Sequence, residues 1–214
     1  MVVDDIKKYV HIAIPRTATT CVNVAIGNLK HPEPNLHHAE LSEILNLFPH
    51  SSEYFKFSFV RNPFDRLVSI YHEFRKNRGN RYSEKVILDK PLLSEFDVSN
   101  NDIDNFRNFC SNLQNSNWIN DLFFKPQFNF LTIENKLSVD FVGKFENIDS
   151  DWLFVRDKIG FPNTPLQKNV GGEPRGFIRG SNHQPYQNYY TQKEIDIVSK
   201  IYKKDLDLFG YDFE

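Results

Sequence analysis

A chain of 214 residues that is 40% hydrophobic and 14% aromatic, with 20 phenylalanines, suits a single domain spanning 1–214 with a sizeable aromatic core. Its 26 Lys and Arg against 28 Asp and Glu leave a formal net charge of −2, which argues against a general nucleic-acid coat or a polybasic membrane binder and makes any anion site local. No apolar segment follows Met1 and no run approaches the roughly 18 apolar residues of a membrane span, so a cytoplasmic protein is expected, with Cys21 and Cys110 as reduced packing residues and no zinc spacing.

The first predicted element is a β-branched strand that begins at Tyr9 and ends before Pro15. A short loop of Arg16, Thr17, Ala18, Thr19 and Thr20 then leads into Val22, Ala25, Ile26 and Leu29, whose spacing predicts a helix with one apolar face. A loop at a helix start collects unpaired N–H groups that attract an anion. Arg16 adds a positive charge and the threonines add hydroxyl donors, although the G-x-x-x-x-G-K-[ST] pattern of a nucleotide-binding loop is missing. Further on, Leu41, Ile44, Leu45 and Phe48 predict a short helix, with His37 and His38 just before it. Those two histidines fit three descriptions: metal ligands, a general base, or solvated loop residues. The lack of a nearby Cys or carboxylate cluster argues against metal.

Residues 54–60 predict an aromatic strand running into Arg61. Asn62 as cap, Pro63 at the first helical position and Asp65 in the first turn predict a helix start. Phe64, Leu67, Val68, Tyr71 and Phe74 form its buried stripe, and Ser69 falls off it. Arg75, Lys76, Arg78, Arg81 and Lys85 extend a basic run, which is usually a solvated face but beside an anion site would steer a charged ligand. Residues 86–101 show no period and predict a variable loop or lid. Ile103, Phe106, Cys110 and Leu113 predict a helix, and residues 128–133 and 139–145 predict two strands. Ile148, Trp152, Val155 and Ile159 mark a further helix ended by Gly160, and Thr191 with Glu194 forms a capping box ahead of Ile195, Val198, Ile201 and Tyr202. Residues 161–185, with Lys168, Arg175 and Arg179, predict a long functional loop.

Two of these stretches resemble the cofactor signatures of sulfotransferases that use 3′-phosphoadenosine 5′-phosphosulfate (PAPS), in the branch that contains carbohydrate sulfotransferases. The family's P-K-T-[AG]-[GS]-[TS]-[ST] loop aligns with residues 15–21, with Arg16 for lysine, Thr19 for glycine or serine and Cys21 for a hydroxyl residue. Its V-R-[ND]-P-[FY]-[DE]-R-[LF]-V-S-x-Y signature is matched without exception by residues 60–71. Residues 38–44 resemble its H-[AVT]-[ST]-x-x-[ED]-[IL] pattern, residues 140–147 its D-x-[IV]-G-[RK]-F-E-[ND], and residues 205–211 its closing D-[IL]-x-[LM]-F-G-Y. The resemblance spans roughly 9–211, with no match over 78–125.

The resemblance implies a P-loop-kinase-like fold, a three-layer α/β sandwich with a mainly parallel sheet. It also implies sulfuryl transfer from PAPS to a hydroxyl acceptor, a carbohydrate or small metabolite, by in-line displacement without metal. Arg16, Thr17, Ala18, Thr19, Thr20 and Cys21 would bind the 5′-phosphosulfate, and Arg61 and Ser69 the 3′-phosphate. His38 would be the base, with His37 beside it on the acceptor side. Glu146 would be an acceptor-site carboxylate or a helix-start residue, and Arg179 and Ser181 would close over the adenine and 3′-phosphate. Two alternatives stay open. A small-molecule P-loop kinase is weakened by the absent G-K-[ST] and by the lack of an evident magnesium carboxylate, and a catalytically silent nucleotide-binding module would keep the pocket without transfer.

Overall fold

The computed structural model describes residues 1–27, 36–76, 102–114, 120–166 and 183–214, the side chains of 74–76 and 102 excepted. The predicted Leu29, the basic residues beyond 76, the segment 86–101, Arg179 and Ser181 lie outside them. By contacts the chain divides into two compact units, one of Met1–Arg61 with Pro126–Gly180, the other of Asn62–Lys125 with Ser181–Glu214.

The first unit holds an α/β sheet. Its strands are β1 (Val2–Asp4), β2 (Tyr9–Ile12), β3 (Phe55–Val60) and β6 (Phe141–Lys144), in the order β1-β2-β3-β6. Strand β1 is antiparallel to β2, whereas β2 with β3 and β3 with β6 are parallel, so the sheet is mainly parallel. Every residue of β2 is buried, as expected of an inner strand flanked on both edges. Strand β1 is absent from the sequence reading because three residues carry no periodicity. It is held by a turn in which Asp4 Oδ1 accepts the N–H groups of Ile6 at 3.0 Å and Lys7 at 2.8 Å.

Helices α1 (Thr19–Ala25) and α2 (Leu41–Leu47) lie between β2 and β3. Residues 128–133, expected as a strand, instead form helix α5 (Gln127–Leu131) followed by the two-residue strand β4 (Thr132–Ile133). A short apolar run does not separate the two periods, and Pro126 with ψ 142° sets a helix entrance. Strand β4 turns back on β5 (Lys136–Leu137) through Glu134 and Asn135, both with positive φ as a two-residue hairpin requires. After β6, helix α6 (Ile148–Lys158) ends near Gly160, whose φ of +77° suits glycine. Val22 and Ile26 after β2, and Ile148, Trp152, Val155 and Ile159 after β6, pack with Tyr9, Phe57 and Phe59 of the sheet as this unit's core.

Gly143 of β6 stands opposite Phe59 of β3, and a Cβ there would lie 2.5 and 2.6 Å from two ring carbons of Phe59. Phe59 is 1% exposed and packed within the core of this unit. Gly143→Ala is therefore expected to lower stability by about 1–3 kcal/mol. The midpoint of chemical unfolding reads it, and an unchanged midpoint would show that the close approach is relieved cheaply.

The second unit is helical among its described residues: α3 (Pro63–Lys76), α4 (Asp102–Leu113), α7 (Gln192–Ile201) and α8 (Lys203–Phe209). Asn62 starts α3 as expected, its Oδ1 accepting the Phe64 N–H at 3.0 Å. The α4 spacing holds as well, with Phe106, Cys110 and Leu113 buried. The capping box of α7 is present, and Val198 and Tyr202 are buried while Ile195 and Ile201 are partly so. The core of this unit joins Phe64, Leu67, Val68 and Tyr71 of α3 to Phe106, Phe124, Tyr190 and Tyr202.

Candidate active site

Parallel pairing brings the carboxyl ends of β2, β3 and β6 to one edge of the sheet, the edge at which open α/β sheets bind ligands. Within the first unit three connections leave it: the loop 13–18 after β2, Arg61 after β3, and the 3₁₀ turn Phe145–Asn147 after β6.

The loop after β2 bends through Arg16 at φ +68° and Ala18 at φ +65°, on either side of Thr17. Left-handed residues among residues of negative φ turn neighbouring N–H groups toward one side, a backbone arrangement suited to an oxyanion. Two left-handed non-glycine residues cost about 1–2 kcal/mol each. Hydroxyls offset part of that cost: Thr17 Oγ1 donates to the Ile14 carbonyl at 3.1 Å and Thr19 Oγ1 to the same carbonyl at 2.7 Å. Both side chains are buried, and both hydroxyl protons are directed at the Ile14 carbonyl. Thr20 is partly exposed and begins the short helix α1 beside Thr19. Cys21 is buried and free, and burial pushes its thiol pKa up, leaving a neutral thiol where the related pattern has a hydroxyl.

His38 sits at the same edge, with Nδ1 2.6 Å from the carbonyl oxygen of Ala13, the first residue of that loop. A carbonyl can only accept, so Nδ1 carries the hydrogen, and in the neutral ring Nε2 is the basic nitrogen. The rings of His37 and His38 meet edge to face at 4.4 Å, and the His37 carbonyl accepts the nitrogen of Met1. A third histidine, His11 of β2, stacks on Phe57 at 4.9 Å and shares a hydrogen bond of 3.0 Å with Asn23 of α1. Burial lowers its pKa to about 3, so His11 is a neutral core residue.

Arg61 is 7% exposed and held from three directions. Its guanidinium lies over the Phe145 ring at 4.2 Å and reaches the Arg16 carbonyl at 3.4 Å, while its main-chain N–H and C=O are bonded to the side chain of Gln127 at 2.9 and 2.8 Å. Glu146, next to Phe145, is exposed. Neither Gln127 nor Phe145 drew attention in sequence. Nothing local marks a glutamine that closes on a peptide 66 residues away, whereas the F-E pair of the 140–147 pattern did contain Phe145.

In the second unit Ser69 is fully buried on α3. The other arginine of its motif, Arg66, has a different task. It is 1% exposed and donates to the carbonyls of Lys125 at 3.1 Å and Phe123 at 3.0 Å, so it closes the helical unit and does not belong to a solvated basic face. Asp65 lies 3.5 Å from His183, whose ring stacks on His72. Among the described residues no group of three or more His, Cys, Asp or Glu is arranged to hold a metal, and no helix is long and apolar enough to cross a membrane.

Residues 1–212 match the model of the Sulfotransferase family. The chain is 25% identical over 235 residues to carbohydrate sulfotransferase 14 of Danio rerio, an alignment covering 99% of this chain and 62% of that protein. It is also 33% identical over 109 residues to an uncharacterized protein of Archaeoglobus fulgidus, covering 51% of this chain and 70% of that one. The chain thus spans less than two thirds of the length of the carbohydrate sulfotransferase it matches. No solved structure matches it. With a family match over nearly its whole length, the chain belongs to the Sulfotransferase family.

Proposed function

We propose that the protein transfers a sulfuryl group from PAPS to the hydroxyl of a carbohydrate or small metabolite, on a three-layer, P-loop-kinase-like fold. The observation that carries this reading is the meeting, at the carboxyl edge of β2 and β3, of the left-handed loop around Thr17, the Nδ1-protonated His38 and the fixed guanidinium of Arg61. That donor set fits a nucleotide with phosphate at both ends: N–H groups for one oxyanion, a planar fork for the other. PAPS supplies the sulfuryl group and a phosphate leaving group.

In this reading Arg16 and the N–H groups of residues 17–21 hold the 5′-phosphosulfate and stabilise charge as it collects on the leaving phosphate oxygen. Arg61 anchors the 3′-phosphate, the role that the motif also gives Ser69, and Arg179 and Ser181 belong to the segment assigned to the adenine and 3′-phosphate. His38 Nε2 takes the acceptor proton while the acceptor oxygen bonds to sulfur and the bridging sulfur–oxygen bond breaks. His37 and Glu146 flank the acceptor. Positioning and charge stabilisation supply the catalysis, as in phosphoryl transfer.

Calorimetric titration tests the donor assignment. Without metal, 3′-phosphoadenosine 5′-phosphate is expected to bind at least about tenfold more tightly than 5′-AMP, because a charge-assisted contact to one added phosphate contributes about 1.4 kcal/mol or more. Equal affinities would remove the 3′-phosphate contact on which the donor assignment rests, and preference for ATP with magnesium would replace the sulfotransferase reading with that of a kinase.

A further inference from the structure

The peptide of Arg61 lies where the sheet has ended. Val60 is the last residue of β3 and pairs with Lys144, the last of β6. One residue further, no strand among the described residues is in register to receive the Arg61 N–H or C=O. Both groups turn instead to one side chain: Gln127 Oε1 accepts the Arg61 N–H at 2.9 Å, and Gln127 Nε2 donates to the Arg61 carbonyl at 2.8 Å. The amide therefore does what a neighbouring strand would do. Its orientation is determined, because exchanging its oxygen and nitrogen would set donor against donor and acceptor against acceptor. Gln127 is fully buried, and it is the first residue of α5, held at the helix start after Pro126. An amide in that setting cannot wander, and it fixes both torsions that aim the Arg61 side chain.

We infer that Gln127 is a positioning residue for nucleotide selectivity: it extends β3 by one residue so that the Arg61 guanidinium is presented ready-made to a 3′-phosphate. The inference rests on the proposed function. With the main-chain clasp below it and the Phe145 ring against its face at 4.2 Å, the guanidinium is held before any ligand arrives, so little freedom is lost on binding. Displacement of a charged contact by about 1 Å is enough to lose most of its advantage.

The test compares 3′-phosphoadenosine 5′-phosphate with 5′-AMP, which differ only by the 3′-phosphate, on wild type, Arg61→Ala and Gln127→Met. Methionine has nearly the volume of glutamine but neither hydrogen-bonding group. Gln127→Met is expected to weaken the 3′-phosphorylated ligand about tenfold or more while 5′-AMP stays within about twofold, so that the selectivity ratio collapses toward that of Arg61→Ala. A structural role would lower both affinities together, and that result, or an unchanged ratio, overturns the inference. If wild type fails to prefer the 3′-phosphorylated ligand, the proposed function itself has failed; if Arg61→Ala keeps the preference, the 3′-phosphate is held elsewhere and this inference is overturned. Should Gln127→Met not give a native circular dichroism spectrum, Gln127→Glu keeps an acceptor for the Arg61 N–H but, when ionised, no donor for its carbonyl. It is expected to show the same loss of ratio, and a retained ratio overturns the inference.

Discussion

Replacing Arg61 with alanine is expected to weaken binding of 3′-phosphoadenosine 5′-phosphate about 100-fold or more while leaving 5′-AMP within about threefold. Hydrogen bonds between a guanidinium and a phosphate are charge-assisted on both sides, and losing one such buried partner costs about 2–5 kcal/mol, of which about 2.7 corresponds to the 100-fold. Arg61 belongs at the strong end of that range, being 7% exposed, stacked on Phe145 and clasped through its main chain by Gln127. Solvent screening that reduces surface ion pairs to a fraction of a kcal/mol does not operate there. Arg61→Lys keeps the charge but loses the planar fork, and is expected to fall between wild type and alanine. Parallel titrations check both variants. If Arg61→Ala weakens both nucleotides equally, the side chain supports the sheet edge and the 3′-phosphate must be held elsewhere.

That Arg61 could be singled out from the sequence, and Gln127 could not, follows from the range of the forces involved. The start of α3 is written in neighbouring residues: an asparagine whose Oδ1 meets the Phe64 N–H at 3.0 Å, a proline at the first position and an acid in the first turn. Cap chemistry acts over three or four residues, so a local pattern suffices, and the arginine just before it falls at a strand end. The two arginines of that one motif nevertheless have unlike fates, since Arg66 serves the carbonyls of Phe123 and Lys125, about 57 and 59 residues away. Chain closure of that length leaves no local mark. The same limit explains Thr17 and Thr19. Their place in an anion-binding pattern is legible, but only the left-handed turn at Arg16 and Ala18 shows that their hydroxyls face the Ile14 carbonyl. It also explains α5, where an apolar run of helix length barely above one turn reads equally well as a strand.

Replacing His38 with alanine is expected to lower turnover about 10²–10⁴-fold and to leave binding of 3′-phosphoadenosine 5′-phosphate within about twofold, the signature of a group that acts on the acceptor proton and not on the donor. The geometry makes the separation sharp. The Ala13 carbonyl, 2.6 Å from Nδ1, selects the tautomer whose other nitrogen is basic, so one main-chain atom just after β2 both places the ring beside the loop 13–18 and fixes its tautomer. His38→Gln is the informative companion. Its amide can still donate to the Ala13 carbonyl and hold the loop, yet it offers no basic nitrogen, so turnover should fall as far as in the alanine variant while thermal stability stays near wild type. His11 cannot substitute, because burial lowers its pKa to about 3 and its Nδ1 is engaged with Asn23. Among the described residues His37 is the imidazole beside it, at 4.4 Å between ring centroids. Single-turnover assays with PAPS and a panel of hydroxyl acceptors decide the matter: near-normal rates in His38→Ala with loss in His37→Ala would transfer the base to His37, and near-normal rates in both would remove histidine from the proton transfer altogether.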